Sequence, residues 1–309
     1  MMRIVFMGSP AFAVPSLTRL VDSGNTVALV VTQPDRPAGR GRDLRSPPVK
    51  PAAERLGLAV AQPARLADEG VLATLQSARP DAIVVVAFGQ FLPRPVRELP
   101  SLGCINVHAS LLPKYRGAAP INRAVMAGET ETGVTIMRVE NRMDAGPILL
   151  QKACPILPTD DAGSLHDRLA ELGAEALTDA LRILGDGRAV WTPQDEPRAT
   201  FAPKLGDADC RLELQGDPVP LVNRVRGLSP SPGAYLPLEG GRRIRVLKAE
   251  VRPEAGPPGV VLRIDEAAVV LGTGNGALAL LEVQPEGKRR MSGAEFARGQ
   301  HLRAGACCV

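Results

Sequence analysis

The sequence predicts an α/β fold: a Rossmann-like, mostly parallel sheet with helices on both faces, joined to a smaller C-terminal β domain. Three observations carry this. Residues 81–87 (Asp-Ala-Ile-Val-Val-Val-Ala) form a continuous apolar run after Pro80, the pattern of a strand buried on both faces of a parallel sheet. Strand-like and helical segments alternate along the chain before residue 190, as in stacked βαβ units. Beyond residue 206 the pieces become short and strand-like, punctuated by Pro and Gly, which favours a small barrel or sandwich.

Taken in order, residues 3–7 (Arg-Ile-Val-Phe-Met) make a strand that stops at Gly8, and residues 11–21 carry a helical apolar stripe. Residues 26–32 read as a second strand, 33–48 as a loop and 50–56 as a helix. Strands follow at 104–108 and 132–139. Between them a helix over 118–127 has Pro120 in its first turn and Gly128 as its stop. The longest helical pattern runs over 159–184, with Thr159 or Asp160 as its cap and Gly185 after its end. Further strands are expected at 243–249, 259–264, 267–272 and 277–283. These elements divide the chain into a domain over 1–189, a Pro-interrupted linker over 190–206 and a domain over 207–309.

With 309 residues the chain is nearer two domains than one. Aromatic residues are only 3%, so the core is aliphatic and broad base-stacking platforms are disfavoured. The net charge of +4 comes from 37 basic and 33 acidic residues. From Thr200 onward the counts are 15 and 12, leaving 22 and 21 before it, so the excess sits mostly in the C-terminal third. The one dense basic run is Arg36, Arg40, Arg42, Arg45 and Lys50. No apolar stretch approaches the roughly 20 residues of a membrane span, and residues 1–10 have no signal-peptide pattern. A cytoplasmic protein that does not bind membranes is expected. Five cysteines without a CxxC, and three histidines, imply reduced thiols and no structural metal.

Gly8-Ser9-Pro10 after the first strand invites a dinucleotide-binding reading, with Asp35 near the place of a ribose-binding acid. The motif fails, because Pro10 and Ala13 stand where G-x-G-x-x-G requires glycines. Gly8 then reads as a tight turn. The chemistry concentrates in residues 103–120. Asn106 and His108 lie two apart on a strand and so share a face at its carboxyl end, where open α/β sheets bind ligands. An amide and an imidazolium are matched donors for a developing oxyanion. Asp144, in the turn Asn141-Arg-Met-Asp-Ala-Gly-Pro147, is the candidate acid that orients the imidazole and stabilises its charged form. Cys104 shares the parity of Asn106 and His108, which makes it a rival nucleophile. His166 and His301 read as surface or packing residues.

Residues 105–113 (Ile-Asn-Val-His-Ala-Ser-Leu-Leu-Pro), Arg116-Gly-Ala-Ala-Pro-Ile121, Thr132-Gly-Val-Thr135 and Met143-Asp-Ala-Gly146 together resemble the folate-dependent formyltransferase family. Phe6-Met-Gly-Ser-Pro-Ala-Phe12, Thr32-Gln-Pro-Asp-Arg-Pro-Ala-Gly-Arg-Gly41 and Phe201-Ala-Pro-Lys-Leu205 are similar to the branch that formylates initiator methionyl-tRNA. The chain departs from that branch at Arg42-Asp43 and Ser46-Pro47-Pro48, where two lysines and Pro-Ser-Pro are usual, and at Ser231, where Trp is common.

The resemblance implies a Rossmann-like catalytic domain and an OB-like C-terminal domain that binds tRNA. The implied co-substrate is 10-formyltetrahydrofolate, with no metal. The reaction is formyl transfer to the α-amino group of initiator methionyl-tRNA for translation initiation, by a monomer. Asn106, His108 and Asp144 are the implied catalytic set, and Ser110, Leu111, Leu112 and Pro113 border the folate. Arg36, Arg40, Arg42 and Lys204 are expected to meet the tRNA, since arginine forks take phosphates bidentately. The competing readings are an amino-sugar nucleotide N-formyltransferase, a non-catalytic RNA-binding protein and, least, a NAD-linked oxidoreductase.

Overall fold

A computed structural model describes residues 1–38, 43–238 and 241–308. Along the chain the strands are β1 (Arg3–Gly8), β2 (Thr26–Val31), β3 (Arg36–Ala38), β4 (Asp43–Arg45), β5 (Val60–Ala61), β6 (Ala82–Val86), β7 (Cys104–His108), β8 (Arg116–Gly117), β9 (Glu131–Arg138) and β10 (Ile148–Pro155). After β11 (Phe201–Ala202) come β12 (Ala234–Pro237), β13 (Arg243–Arg252), β14 (Val261–Ile264), β15 (Val269–Thr273), β16 (Gly276–Pro285) and β17 (Met291–Ser292). The helices are α1 (Val14–Asp22), α2 (Val49–Arg55), α3 (Val71–Ser77), α4 (Arg94–Arg97), α5 (Pro120–Met126), α6 (Ala162–Gly185), α7 (Asp207–Cys210), α8 (Pro218–Leu228) and α9 (Gly293–Gly299).

The chain folds as two compact units. The first comprises Met1–Gly117, Glu131–Pro155 and His166–Phe201; the second comprises Ala118–Thr130, Ile156–Leu165 and Ala202–Val309.

The first unit holds a seven-stranded sheet in the order β10-β9-β7-β6-β1-β2-β5. The five strands from β7 to β5 are parallel, and every residue of β6 is buried, as its apolar run requires. The chain runs outward from β1 to β2 and returns to the other side of β1 with β6, so the strand order reverses there. Such a reversal opens a crevice at the carboxyl ends of the strands. Gly8 ends β1 beside Val86 of β6. A Cβ on Gly8 would lie 2.8 Å from the Cβ of Ala13, so glycine is required for close packing against the following helical turn rather than for a tight turn.

Three expectations need correction. Residues 131–138 pair antiparallel to β7, and residues 148–155 add an eight-residue antiparallel edge strand where none was expected. In β10 only Cys154 is buried, so its sequence lacks the apolar signature of an inner strand. Residues 36–38 and 43–45 pair as an antiparallel hairpin within the segment read as a loop. Helix α6 begins at Ala162, and its cap is Asp161, not Thr159 or Asp160: Asp161 Oδ1 accepts the Ser164 N–H at 2.8 Å while Ser164 Oγ accepts the Asp161 N–H at 3.1 Å. Asp160 instead accepts the Leu157 N–H at 2.7 Å.

The second unit contains an antiparallel sheet in the order β12-β13-β16-β15-β14, with β17 paired to β16. Leu221, Val225 and Leu228 of α8 and Phe296 of α9 join Val246, Leu271, Leu278 and Leu280 in its aliphatic core. Both helices fall in stretches to which the sequence reading gave no element. Pro218 at the first position of α8 and the capping box Ser292-x-x-Glu295 of α9 are their local signals. Among the described residues no helix is long and apolar enough to cross a membrane.

Candidate active site

Strand β7 lies between β6 and β9, and its two faces have different fates. Gly173 of α6 comes so close to Val107 that an added Cβ would sit 2.9 Å from the Val107 Cγ1. The helix therefore covers the Val107 face, and the period of two places Asn106 and His108 on the opposite one. His108 is buried, at 6% exposure, while Asn106 is half-buried. The Asn106 side chain makes no hydrogen bond among the described residues.

His108 Nε2 lies 3.0 Å from the carbonyl oxygen of Tyr115. That oxygen only accepts, so Nε2 carries the proton of the contact. Nδ1 faces Asp144, whose Oδ2 is 3.7 Å away and also accepts the Gly117 N–H at 2.9 Å. A direct hydrogen bond is shorter than 3.7 Å. The carboxylate thus acts on the imidazole through its field rather than through a direct hydrogen bond. Both Tyr115 (φ 61°) and Asp144 (φ 50°) occupy the left-handed region, a conformation costing roughly 1–3 kcal/mol for a non-glycine residue unless its surroundings enforce it.

The enforcement around Asp144 is visible. Gln194 Nε2 donates to the carbonyl oxygens of Asp144 and Gly146, each at 2.8 Å. Gln194 Oε1 accepts from Arg116 Nε at 3.0 Å and Nη2 at 2.7 Å. Arg116 is almost wholly buried and pairs with both oxygens of Glu196, at 2.9 and 3.2 Å. Arg116 hydrogen bonds hold the Glu196 carboxyl down to about 2, helped by Arg142.

The segment after His108 is fixed by one buried hydroxyl. Thr135 Oγ1 donates to Ser110 O at 2.6 Å and accepts from Leu112 N at 3.1 Å and Gln151 Nε2 at 2.8 Å. Ser110 and Leu112 are buried, and Ser110 Oγ donates to Lys114 O at 2.6 Å. Leu111 and Pro113 remain half-exposed. Of the four residues expected to border folate, these two present surface and the other two shape the loop.

Cys104 is not a nucleophile. It is buried, and burial pushes its thiol up to about 12, so the thiolate does not form near neutral pH. Asp35 is likewise accounted for, pairing with Lys50 at 2.7 Å and accepting from Gln62 at 2.6 Å. Gln62 and Gln33 also tie the root of the basic hairpin to the Gln33 and Phe88 carbonyls, respectively. Arg36 is exposed and donates to Gln33 Oε1 at 3.1 Å. Lys204 is exposed in the second unit. Arg40 and Arg42 lie outside the described residues.

A buried imidazole with a carboxylate partner, beside an unengaged amide, suits acyl transfer. Comparison with known proteins agrees. Residues 2–181 match the family model described as formyl transferase, and residues 204–301 match that for the formyl transferase C-terminal domain. The chain belongs to the formyl transferase family. The formyltransferase is 44% identical over 304 residues to the methionyl-tRNA formyltransferase of Geobacter sulfurreducens, covering 98% of this chain and 96% of that one. It is 49% identical over 304 residues to that of Methylococcus capsulatus, covering 97% and 98%.

Among solved structures, the N-formyltransferase of Helicobacter canadensis, in complex with folinic acid and dTDP-3-aminofucose, has TM-score 0.66 at 15% identity. It covers 91% of this formyltransferase and 99% of that chain. HypX from Aquifex aeolicus with tetrahydrofolic acid has TM-score 0.66 at 20% identity, covering 96% of this formyltransferase and 47% of that chain. This formyltransferase thus spans about half of HypX.

Sequence reading missed Arg116, Thr135, Gln151 and Gln194 as parts of the site. Arg116 and Thr135 stand inside the family-like motifs; Gln194 carries no local signal beyond its place in a Pro-rich connector.

Proposed function

We propose that this enzyme transfers the formyl group of 10-formyltetrahydrofolate to the α-amino group of initiator methionyl-tRNA, in the cytoplasm, at the start of translation. The observation that carries this reading is the buried His108 beside Asp144, with the unengaged Asn106 amide on the same strand face. The relatives that match nearly the whole chain are methionyl-tRNA formyltransferases, which supports the choice of acceptor.

α-Amino groups titrate at about 7.7–8.0, and an ester lowers that, so much of the nucleophile is neutral at pH 7. The harder step is the oxyanion. The amine nitrogen bonds to the formyl carbon as the carbonyl π pair moves onto oxygen. The Asn106 N–H and the His108 Nδ1–H stabilise that oxygen. Asp144, facing His108 Nδ1, takes the proton from the attacking nitrogen. Collapse re-forms the carbonyl and breaks the bond between formyl carbon and folate nitrogen, which leaves with the proton returned by Asp144. Leu111 and Pro113 present surface to the folate, and Ser110 and Leu112 shape the loop that borders it. Arg36, Arg40, Arg42 and Lys204 meet the tRNA, catalysis resides in residues 1–189 and tRNA binding in 207–309, and the enzyme works as a monomer.

The test is formyl transfer to charged initiator tRNA, beside elongator methionyl-tRNA and a 4-amino-sugar nucleotide. Preference for initiator tRNA supports the reading, whereas transfer to the sugar nucleotide alone overturns the acceptor. Absence of folate binding by calorimetry would leave a non-catalytic RNA-binding protein. Within the reaction, Asp144→Asn is expected to abolish most of kcat, and a kcat near wild type would refute the triad.

A further inference from the structure

We propose that Gln194 is a positioning residue for the reaction, locking the Asp144 turn in the conformation that aims the carboxylate at His108. The inference rests on the catalytic role proposed for Asp144. Gln194 lies 50 residues from Asp144 in sequence, yet its amide nitrogen holds the carbonyls on both sides of Ala145, at 2.8 Å each.

The orientation of that amide is forced. Arg116 offers only donors, so it faces the Gln194 oxygen; the Asp144 and Gly146 carbonyls offer only acceptors, so they face the nitrogen. Glu196 pairs with the otherwise buried charge of Arg116 and so holds the guanidinium in register with Gln194. The chain Glu196–Arg116–Gln194 ends on a residue at φ 50°, a conformation that persists where neighbours over-determine it.

Arg116 also joins the two walls of the pair. Its own backbone lies between Tyr115, whose carbonyl orients His108 Nε2, and Gly117, whose N–H holds Asp144 Oδ2. Loss of the Gln194 donors frees the turn while leaving the strand and the imidazole in place, so the chemical step suffers and substrate binding does not.

Gln194→Glu tests this with minimal disturbance, because a carboxylate still accepts from Arg116 but cannot donate to the two carbonyls. Gln194→Met removes both functions. Each variant is compared with wild type, Asp144→Asn and the double variant by single-turnover and steady-state kinetics, alongside thermal melting. The expected result is a fall in kcat on the order of 10- to 100-fold for Gln194→Glu with little change in either KM, and no further loss when it is added to Asp144→Asn. A wild-type kcat in folded Gln194→Glu, or a loss that multiplies with that of Asp144→Asn, overturns the inference. A wild-type kcat in Asp144→Asn overturns instead the assignment on which it rests.

Discussion

His108 Nε2 is held 3.0 Å from the Tyr115 carbonyl oxygen, and this contact decides which ring nitrogen faces Asp144. The other nitrogen, Nδ1, is left for chemistry. Tyr115 reaches this position through a left-handed backbone at φ 61° and is steadied by Thr200, whose Oγ1 accepts the Tyr115 N–H at 2.9 Å. The imidazole is therefore oriented by main chain, not by another titratable side chain.

With the ring fixed, the Asn106 amide is the proposed second oxyanion donor. Asn106→Ala is expected to lower kcat by about 10²–10³-fold while the KM for folate changes little. Steady-state kinetics at saturating folate check this, and an equal rise in KM with unchanged kcat would show that Asn106 only binds.

Thr135 uses its donor and two acceptor positions on Ser110, Leu112 and Gln151. Thr135→Val keeps the volume but leaves the Leu112 N–H and the Gln151 amide without that acceptor. A destabilisation of about 1–3 kcal/mol follows, read as a lower urea midpoint at unchanged m-value. The KM for folate is expected to rise with it.

Glu196 gives stability a dependence on acid. Arg116 and Arg142 lower its carboxyl from the ordinary 4.5 to about 2 in the folded protein. The unfolded chain takes up this proton first, so the contribution of the pair is complete above 4.5 and declines as pH falls towards 2. The melting-temperature gap between wild type and Glu196→Gln is expected to narrow over that interval. A constant gap would mean that Glu196 acts through packing rather than charge.

If the basic hairpin meets phosphate, Arg36→Ala should flatten the plot of log tRNA affinity against log salt by about 0.7–0.9. The guanidinium is exposed, and among the described residues its one side-chain partner is the neutral Gln33, so no ion pair with them is lost. An unchanged slope would remove Arg36 from the interface.

The parallel part of the fold was legible because buried parallel strands are written as local apolar runs: β6 and β7 lie where residues 82–86 and 104–108 advertise them. The edge was not. Residues 148–155 are partly or fully exposed but for a single buried side chain, so their pairing to β9 is decided by neighbours. Helix α8 was hidden by the punctuation of Pro218 and Pro220, although Pro at a helix start is compatible with the fold.

By itself the sequence determined the chemistry available: an amide and an imidazole two residues apart on a strand, an acid in a Gly-containing turn, and a basic Gly/Pro-rich loop. Strand periodicity sets the first of these, because it acts between adjacent residues. Only the tertiary structure decided that His108 Nδ1 faces Asp144, that Cys104 is sealed in the core, and that Arg116 and Gln194 brace the acid from 78 residues apart. Those contacts join segments distant in sequence, and their geometry exists once the sheet, its antiparallel edge and the returning connector have packed.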